Sequence, residues 1–151
     1  SLARTLRPLL RDPSVSVRRA AAIAAQGYSA ESLTADLLAA RTLVATVPAA
    51  PAVIQYAARL VLATRPDRQS APASVRSYVK YGSSVRGAQA LLMCGKFHAL
   101  AAERYHVALE DVRRAVLPAL RHRLILNFEG EAAGLKSDAI LDDVLKAVAE
   151  A

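Results

Sequence analysis

The chain has 151 residues, 54% of them hydrophobic and 5% aromatic, with no Trp and a formal charge of +7. That length fits one domain, and its core must come from Leu, Ala and Val, a helix-forming composition. One cysteine, Cys94, excludes an internal disulfide and fits a reducing, cytoplasmic compartment. No apolar run nears the ~20 residues that span a bilayer and no signal-peptide pattern opens the chain, so no membrane partner is expected. It begins at Ser1 rather than Met, as a piece of a longer protein would.

Residues 2–11 and 14–26 read as two short helices separated by Asp12-Pro13, since Pro suits a turn or a first helical turn. Arg11-Asp-Pro-Ser-Val-Ser-Val-Arg-Arg-Ala-Ala21 looks like one unit of a HEAT-type helical repeat, with no second copy in the chain. Gly27-Tyr28 stops the second helix, and Ser29 then caps a helix whose leucine stripe reaches Thr46. Pro51 opens another helix, expected to be largely buried and to end near Thr64-Arg65-Pro66.

After a polar loop over residues 67–73, Val75 to Lys80 reads as a short extended piece. Gly82-Ser83-Ser84 supplies a turn and an N-cap for a long helix from Val85 to Glu103. Its buried face is expected to carry Ala88, Leu91, Leu92, Gly95, Phe97, Ala99 and Ala102. A connector at Tyr105-His-Val leads to a helix from Ala108, with Glu110 and Asp111 in its first turn and Arg121-His-Arg123 at its end, both favourable to the helix dipole. Residues 127–134 read as a loop, followed by an amphipathic helix bearing Ile140, Leu141, Val144, Leu145 and Val148. The fold class is therefore all-α, a small helical bundle with at most a trace of extended structure.

The charge is uneven. Residues 71–123 carry nine Lys or Arg against three acids, whereas two Lys face six acids from Leu124 onward. Such a basic middle suits a polyanion or phosphate groups. No phosphate-binding Gly-x-x-x-x-Gly-Lys-Ser/Thr loop, no strand ending in paired acids and no Gly-x-Ser-x-Gly elbow is present, so the chain holds no catalytic residues of its own. Cys94 and His98 stand four apart as metal ligands do, but two further ligands are missing, and no metal site is assigned.

Arg86 is the candidate that stands out. A cation in a helix's first turn opposes the dipole unless an anion compensates it. Backbone N–H groups and the hydroxyls of Ser83 and Ser84 converge on the same place, an arrangement that binds anions. The alternative is a surface arginine held only by water.

Five segments, in this order, are similar to the C-terminal lid of MoxR-type AAA+ ATPases, relatives of the magnesium chelatase ATPase subunit. They are Tyr56-Ala-Ala-Arg-Leu-Val-Leu-Ala-Thr-Arg65, Gly82-Ser-Ser-Val-Arg86-Gly-Ala, Tyr105-His-Val-Ala-Leu-Glu-Asp-Val-Arg113, Pro118-Ala-Leu-Arg-His-Arg-Leu-Ile-Leu126 and the helix from Asp138 to Val148. The resemblance runs from about Ser29 to Ala149 and implies a helical lid over residues 29–151, with 1–28 a separate helical segment.

In that family a Gly-small-Ser-Pro-Arg motif supplies the sensor-2 arginine, which reaches the γ-phosphate of ATP on a neighbouring core domain. The match implies that Arg86 is sensor 2 and Ser84 the motif's serine, with Ser83, Arg65, Arg121 and Arg123 as secondary candidates. Val85 replaces the motif's proline, and Ala102-Glu-Arg104 replaces a Gly-Arg-Asp turn. The resemblance further implies ATP and Mg2+ held through an absent core, and neighbouring ring subunits and a von Willebrand A-domain protein as partners. It also implies chaperone-like remodelling driven by hydrolysis. The competing readings are a basic helical nucleic-acid-binding module, which would use the Arg-rich N-terminal helices and the 71–123 cluster, and a HEAT-like interaction scaffold.

Overall fold

The computed structural model describes residues 42–148. The helices expected over 2–11 and 14–26, the HEAT-like unit, the boundary at 28/29 and most of the helix ending at Thr46 lie outside them. Residues 42–46 are helical, and a compact unit begins at Val44.

Helix α1 (Pro51–Ala63) starts with Pro at its first position, where the missing N–H costs nothing. Val53, Tyr56, Ala57 and Leu60 recur at helical spacing and are buried. The expectation of a largely buried helix needs correction, because Ile54 and Leu62 on the opposite face are 47% and 39% exposed. Next come α2 (Ala73–Tyr78), β1 (Val79–Tyr81), α3 (Val85–Ala101) and α4 (Leu109–Leu120). A 3-10 turn (Arg121–Arg123), β2 (Ile125–Leu126), α5 (Phe128–Ala132) and α6 (Ser137–Ala147) complete the order. The fold is mostly helical. β1 and β2 form a small antiparallel sheet, Val79 opposite Leu126 and Tyr81 opposite Ile125.

Two segments depart from the sequence expectation. The extended piece expected over Val75–Lys80 is mostly helix α2, since Pro72 starts a turn that buries Val75, and only Val79 and Lys80 lie in β1. The loop expected over 127–134 contains α5. Asn127 caps it by accepting a hydrogen bond from the Gly130 N–H (2.9 Å), while its amide group donates to the Ser77 carbonyl (2.7 Å). One side chain thus starts a helix and ties it to the end of α2.

Helix α3 packs chiefly on α4 and also on α1. Its buried seam is Gly87, Leu91, Gly95 and Ala99, a strict step of four. The small residues let the helices approach closely: a Cβ on Gly95 would stand 3.2 Å from a Val107 methyl and 3.4 Å from a Val112 methyl. Phe97 does not join this seam. It lies two residues, about 200°, round the helix from Gly95 and is 57% exposed. Ala102 is exposed as well, because α3 ends at Ala101 rather than Glu103.

Helix α4 buries Val112, Ala115, Val116, Ala119 and Leu120 along one stripe, which meets Ile140, Leu141 and Val144 of α6 in a single core with Tyr56, Leu60 and Leu91. Pro118 removes one N–H from the last turn of α4, and the chain tightens into the 3-10 turn just beyond it.

Candidate functional site

The start of α3 is held by the end of α1. Thr64 closes α1 and is fully buried. Its hydroxyl donates to the Val61 carbonyl (2.7 Å) and accepts the Ser83 N–H (2.9 Å). Gly82 lies flat on the same spot. A Cβ there would collide with the Thr64 carbonyl oxygen and stand 2.9 Å from the Arg65 Cα.

Beyond this anchor the chain enters α3 with Ser84 as the N-cap residue. The Ser84 backbone is extended and its side chain makes no capping hydrogen bond. Val85 and Arg86 occupy the first two helical positions, where no carbonyl behind them can accept their N–H groups. Neither an acid nor a capping side chain compensates the first turn. The positive end of the α3 dipole and the Arg86 charge therefore add at one exposed place. Among the described residues Arg86 makes no hydrogen bond and no ion pair.

Ser83 departs from the arrangement expected of it. Only 2% of it is exposed, and its hydroxyl turns inward against Gly87, where it finds no hydrogen-bond partner. Its N–H is occupied by Thr64. The groups left facing outward are the Arg86 guanidinium, the amides opening α3 and Ser84.

The secondary candidates Arg65, Arg121 and Arg123 are engaged. Arg65 reaches Asp67 (3.6 Å), which also meets Arg68 (3.8 Å). Arg121 pairs with Asp138 at the start of α6 (3.1 Å), and the Arg123 guanidinium donates to the Ala119 carbonyl (2.9 Å). Leu120 touches Gly87, so the Arg121–Arg123 turn sits at the same end of the bundle as the start of α3. Arg65, just past the end of α1, lies against Gly82 in the turn that leads into α3.

A second charged centre lies at the other end of α3. Arg104 donates to both carboxylate oxygens of Asp111 (2.8 and 2.6 Å), and Asp111 also accepts the Ala108 N–H (2.8 Å). Burial alone would push the Asp111 carboxyl up. The Arg104 and Ala108 hydrogen bonds and the Arg104 charge, with a smaller pull from His98, overcome it and hold the carboxyl below its ordinary range. The pair fixes the connector between α3 and α4, with Asp111 buried and Arg104 partly exposed. Cys94 is half-buried and its thiol is pushed up by burial, the setting of an unreactive thiol. Among the described residues no three His, Cys, Asp or Glu side chains come together as metal ligands.

Thr64 is the residue that sequence reasoning missed. A threonine ending a helix carries no signal of its own, and nothing in the periodicity joins it to Ser83, 19 positions on.

Residues 71–144 match the family model of the AAA lid domain. Over 116 residues the chain is 31% identical to the chaperone MoxR1 of Mycobacterium tuberculosis, a match covering 77% of this chain and 31% of that protein. A crystal structure of a protein described as a candidate ATPase from Cytophaga hutchinsonii superposes with a TM-score of 0.68 at 31% identity, covering 72% of this chain and 33% of that one. The chain thus spans about a third of the length of each relative. No described helix is long and apolar enough to cross a membrane. With its helical bundle, small sheet and these likenesses, this chain carries an AAA lid domain of the MoxR type.

Proposed function

We propose that this lid closes over ATP held by an AAA+ core domain and supplies Arg86 as the sensor-2 arginine. The observation that carries the reading is the state of Arg86 itself. It is exposed, lies beside the uncompensated amides of a 17-residue helix, and makes no ion pair among the described residues. The turn before it matches the family motif in order and spacing, with Ser84 as the motif's serine. A terminal phosphate fits this place, because it would accept from both the guanidinium and the amides.

On this reading Arg86 stabilises the negative charge that develops as the terminal phosphoryl group is transferred, and the rigid bundle turns with the nucleotide state. Neighbouring subunits of a ring would feel that turn, which is how hydrolysis would drive chaperone-like remodelling. Magnesium would come with the nucleotide and the core. Arg65, Arg121 and Arg123 lie at the same end of the bundle, but Arg65 and Arg121 are ion-paired with Asp67 and Asp138 and Arg123 donates to the Ala119 carbonyl. They are expected to shape the local potential rather than to touch phosphate.

The test is Arg86→Ala in the protein that joins this lid to its core. Hydrolysis should fall by about a hundredfold or more while the lid stays folded. Unchanged turnover would remove the assignment.

A further inference from the structure

We infer that Thr64 is the positioning residue for Arg86, setting where the guanidinium stands through the backbone of Ser83. The inference rests on Arg86 being the phosphate-contacting group.

The connection is short, and its anchored end, Thr64 and Ser83, is buried. From Arg86 the chain runs back through Val85 and Ser84 to the Ser83 N–H, which ends on the Thr64 hydroxyl at 2.9 Å. That hydroxyl is simultaneously a donor, to the Val61 carbonyl at 2.7 Å. Only a side chain that both donates and accepts can serve the two ends at once, which leaves Thr and Ser as the residues of suitable size. Gly82 supplies the second constraint, since its backbone rests directly on the Thr64 carbonyl and the Arg65 Cα. Two neighbouring residues of the turn are thus registered to Thr64, the residue that closes α1.

Within the turn, few other side-chain contacts fix its path into α3. Ser84 makes no side-chain cap and the Ser83 hydroxyl has no partner. Val85, 74% exposed, adds almost no packing at the first helical position. If the Thr64 hydroxyl is lost, the Ser83 N–H is left buried and unpaired, and the turn must move to satisfy it. A displacement of even an ångström would take the guanidinium off its phosphate, because charge-assisted hydrogen bonds to phosphate depend steeply on geometry.

The experiment uses Thr64→Val and Thr64→Ser in the protein joining this lid to its core, with Arg86→Ala and the Arg86→Ala/Thr64→Val double variant alongside. Valine keeps the shape of threonine and removes the hydroxyl, whereas serine keeps the hydroxyl. Thr64→Val should lower kcat about tenfold with KM for ATP little changed, and should speed hydrogen exchange at the Ser83 amide. Thr64→Ser should restore both. The double variant should be no slower than Arg86→Ala alone, since Thr64 would act only through that arginine. If Arg86→Ala cripples turnover while Thr64→Val leaves it intact, or if the two losses multiply, the role given to Thr64 is wrong and the reading of Arg86 survives. If Arg86→Ala has no effect, both fall together.

Discussion

Arg104 holds the buried carboxylate of Asp111 with two hydrogen bonds, 2.8 and 2.6 Å long, at the only turn that joins α3 to α4. Asp111 is 1% exposed and its remaining acceptor capacity meets the Ala108 N–H. Because burial opposes the carboxylate and its partners favour it, the folded pKa lies below the unfolded one. Such a group contributes stability that is present above the unfolded pKa, about 3.9, and is lost as pH falls through the lower folded value. Asp111→Ala should destabilise the lid at neutral pH by about 1–3 kcal/mol. Asp111→Asn should also flatten the acid limb of the stability curve. Urea unfolding at a series of pH values checks both, and parallel acid limbs in wild type and Asn variant would exclude the carboxylate as their source.

Gly82 faces a different constraint. It needs no unusual backbone angle, but a Cβ would collide with the Thr64 carbonyl and press on the Arg65 Cα, both backbone atoms that cannot swing aside. Gly82→Ala should therefore cost about 1–3 kcal/mol by overpacking and should push the start of α3 away from α1. Calorimetry reads the first effect, and the amide shifts of Ser83 and Ser84 read the second. An alanine variant as stable as wild type would mean that the turn can slide without penalty.

Much of this molecule was legible because its helices obey strong local rules. Pro51 opens α1, the stripe through Val112, Val116 and Leu120 gives α4, and Ile140, Leu141 and Val144 give α6. What the pattern misjudged depends on contacts distant in the chain. Phe97 reads as core because it is large and apolar, yet the α3 seam is built from Gly87, Gly95 and Ala99, whose value is their lack of bulk. Asn127 begins a helix partly because Ser77 offers it a carbonyl 50 positions earlier. Arg86 could be picked out by its place after Gly82-Ser-Ser84, whereas the Thr64 hydroxyl that anchors this turn could not.

Glu103 carries a removable strain. It is the sole non-glycine residue with positive φ among the described residues, at +59°. Helix α3 ends there in a Schellman motif: the Arg104 N–H bonds the Ala99 carbonyl (2.9 Å) and the Glu103 N–H the Leu100 carbonyl (3.0 Å). That position favours glycine, since a left-handed conformation costs an L-residue about 1–2 kcal/mol and glycine returns part of the gain as chain entropy. Glu103→Gly should raise stability by about 0.5–1 kcal/mol. A lower unfolding midpoint would show that the Glu103 side chain holds something this geometry does not require.

Arg86 should carry a stability cost that reflects its exposed charge. A cation in the first turn of α3 opposes the helix dipole, and no acid there offsets it. Arg86→Glu reverses the sign of that interaction. It should therefore raise the stability of the isolated chain by about 0.3–1 kcal/mol at low ionic strength, a gain that shrinks as salt screens it. Arg86→Ala should fall between wild type and Glu. The same substitutions should abolish or cripple ATP hydrolysis once the lid is joined to its core, so stability and turnover move in opposite directions. Chemical unfolding at low and high salt, set beside turnover, tests the pairing. If both substitutions destabilise the lid, Arg86 is a structural residue with an unseen partner, and the exposed end of α3 loses its claim on a phosphate.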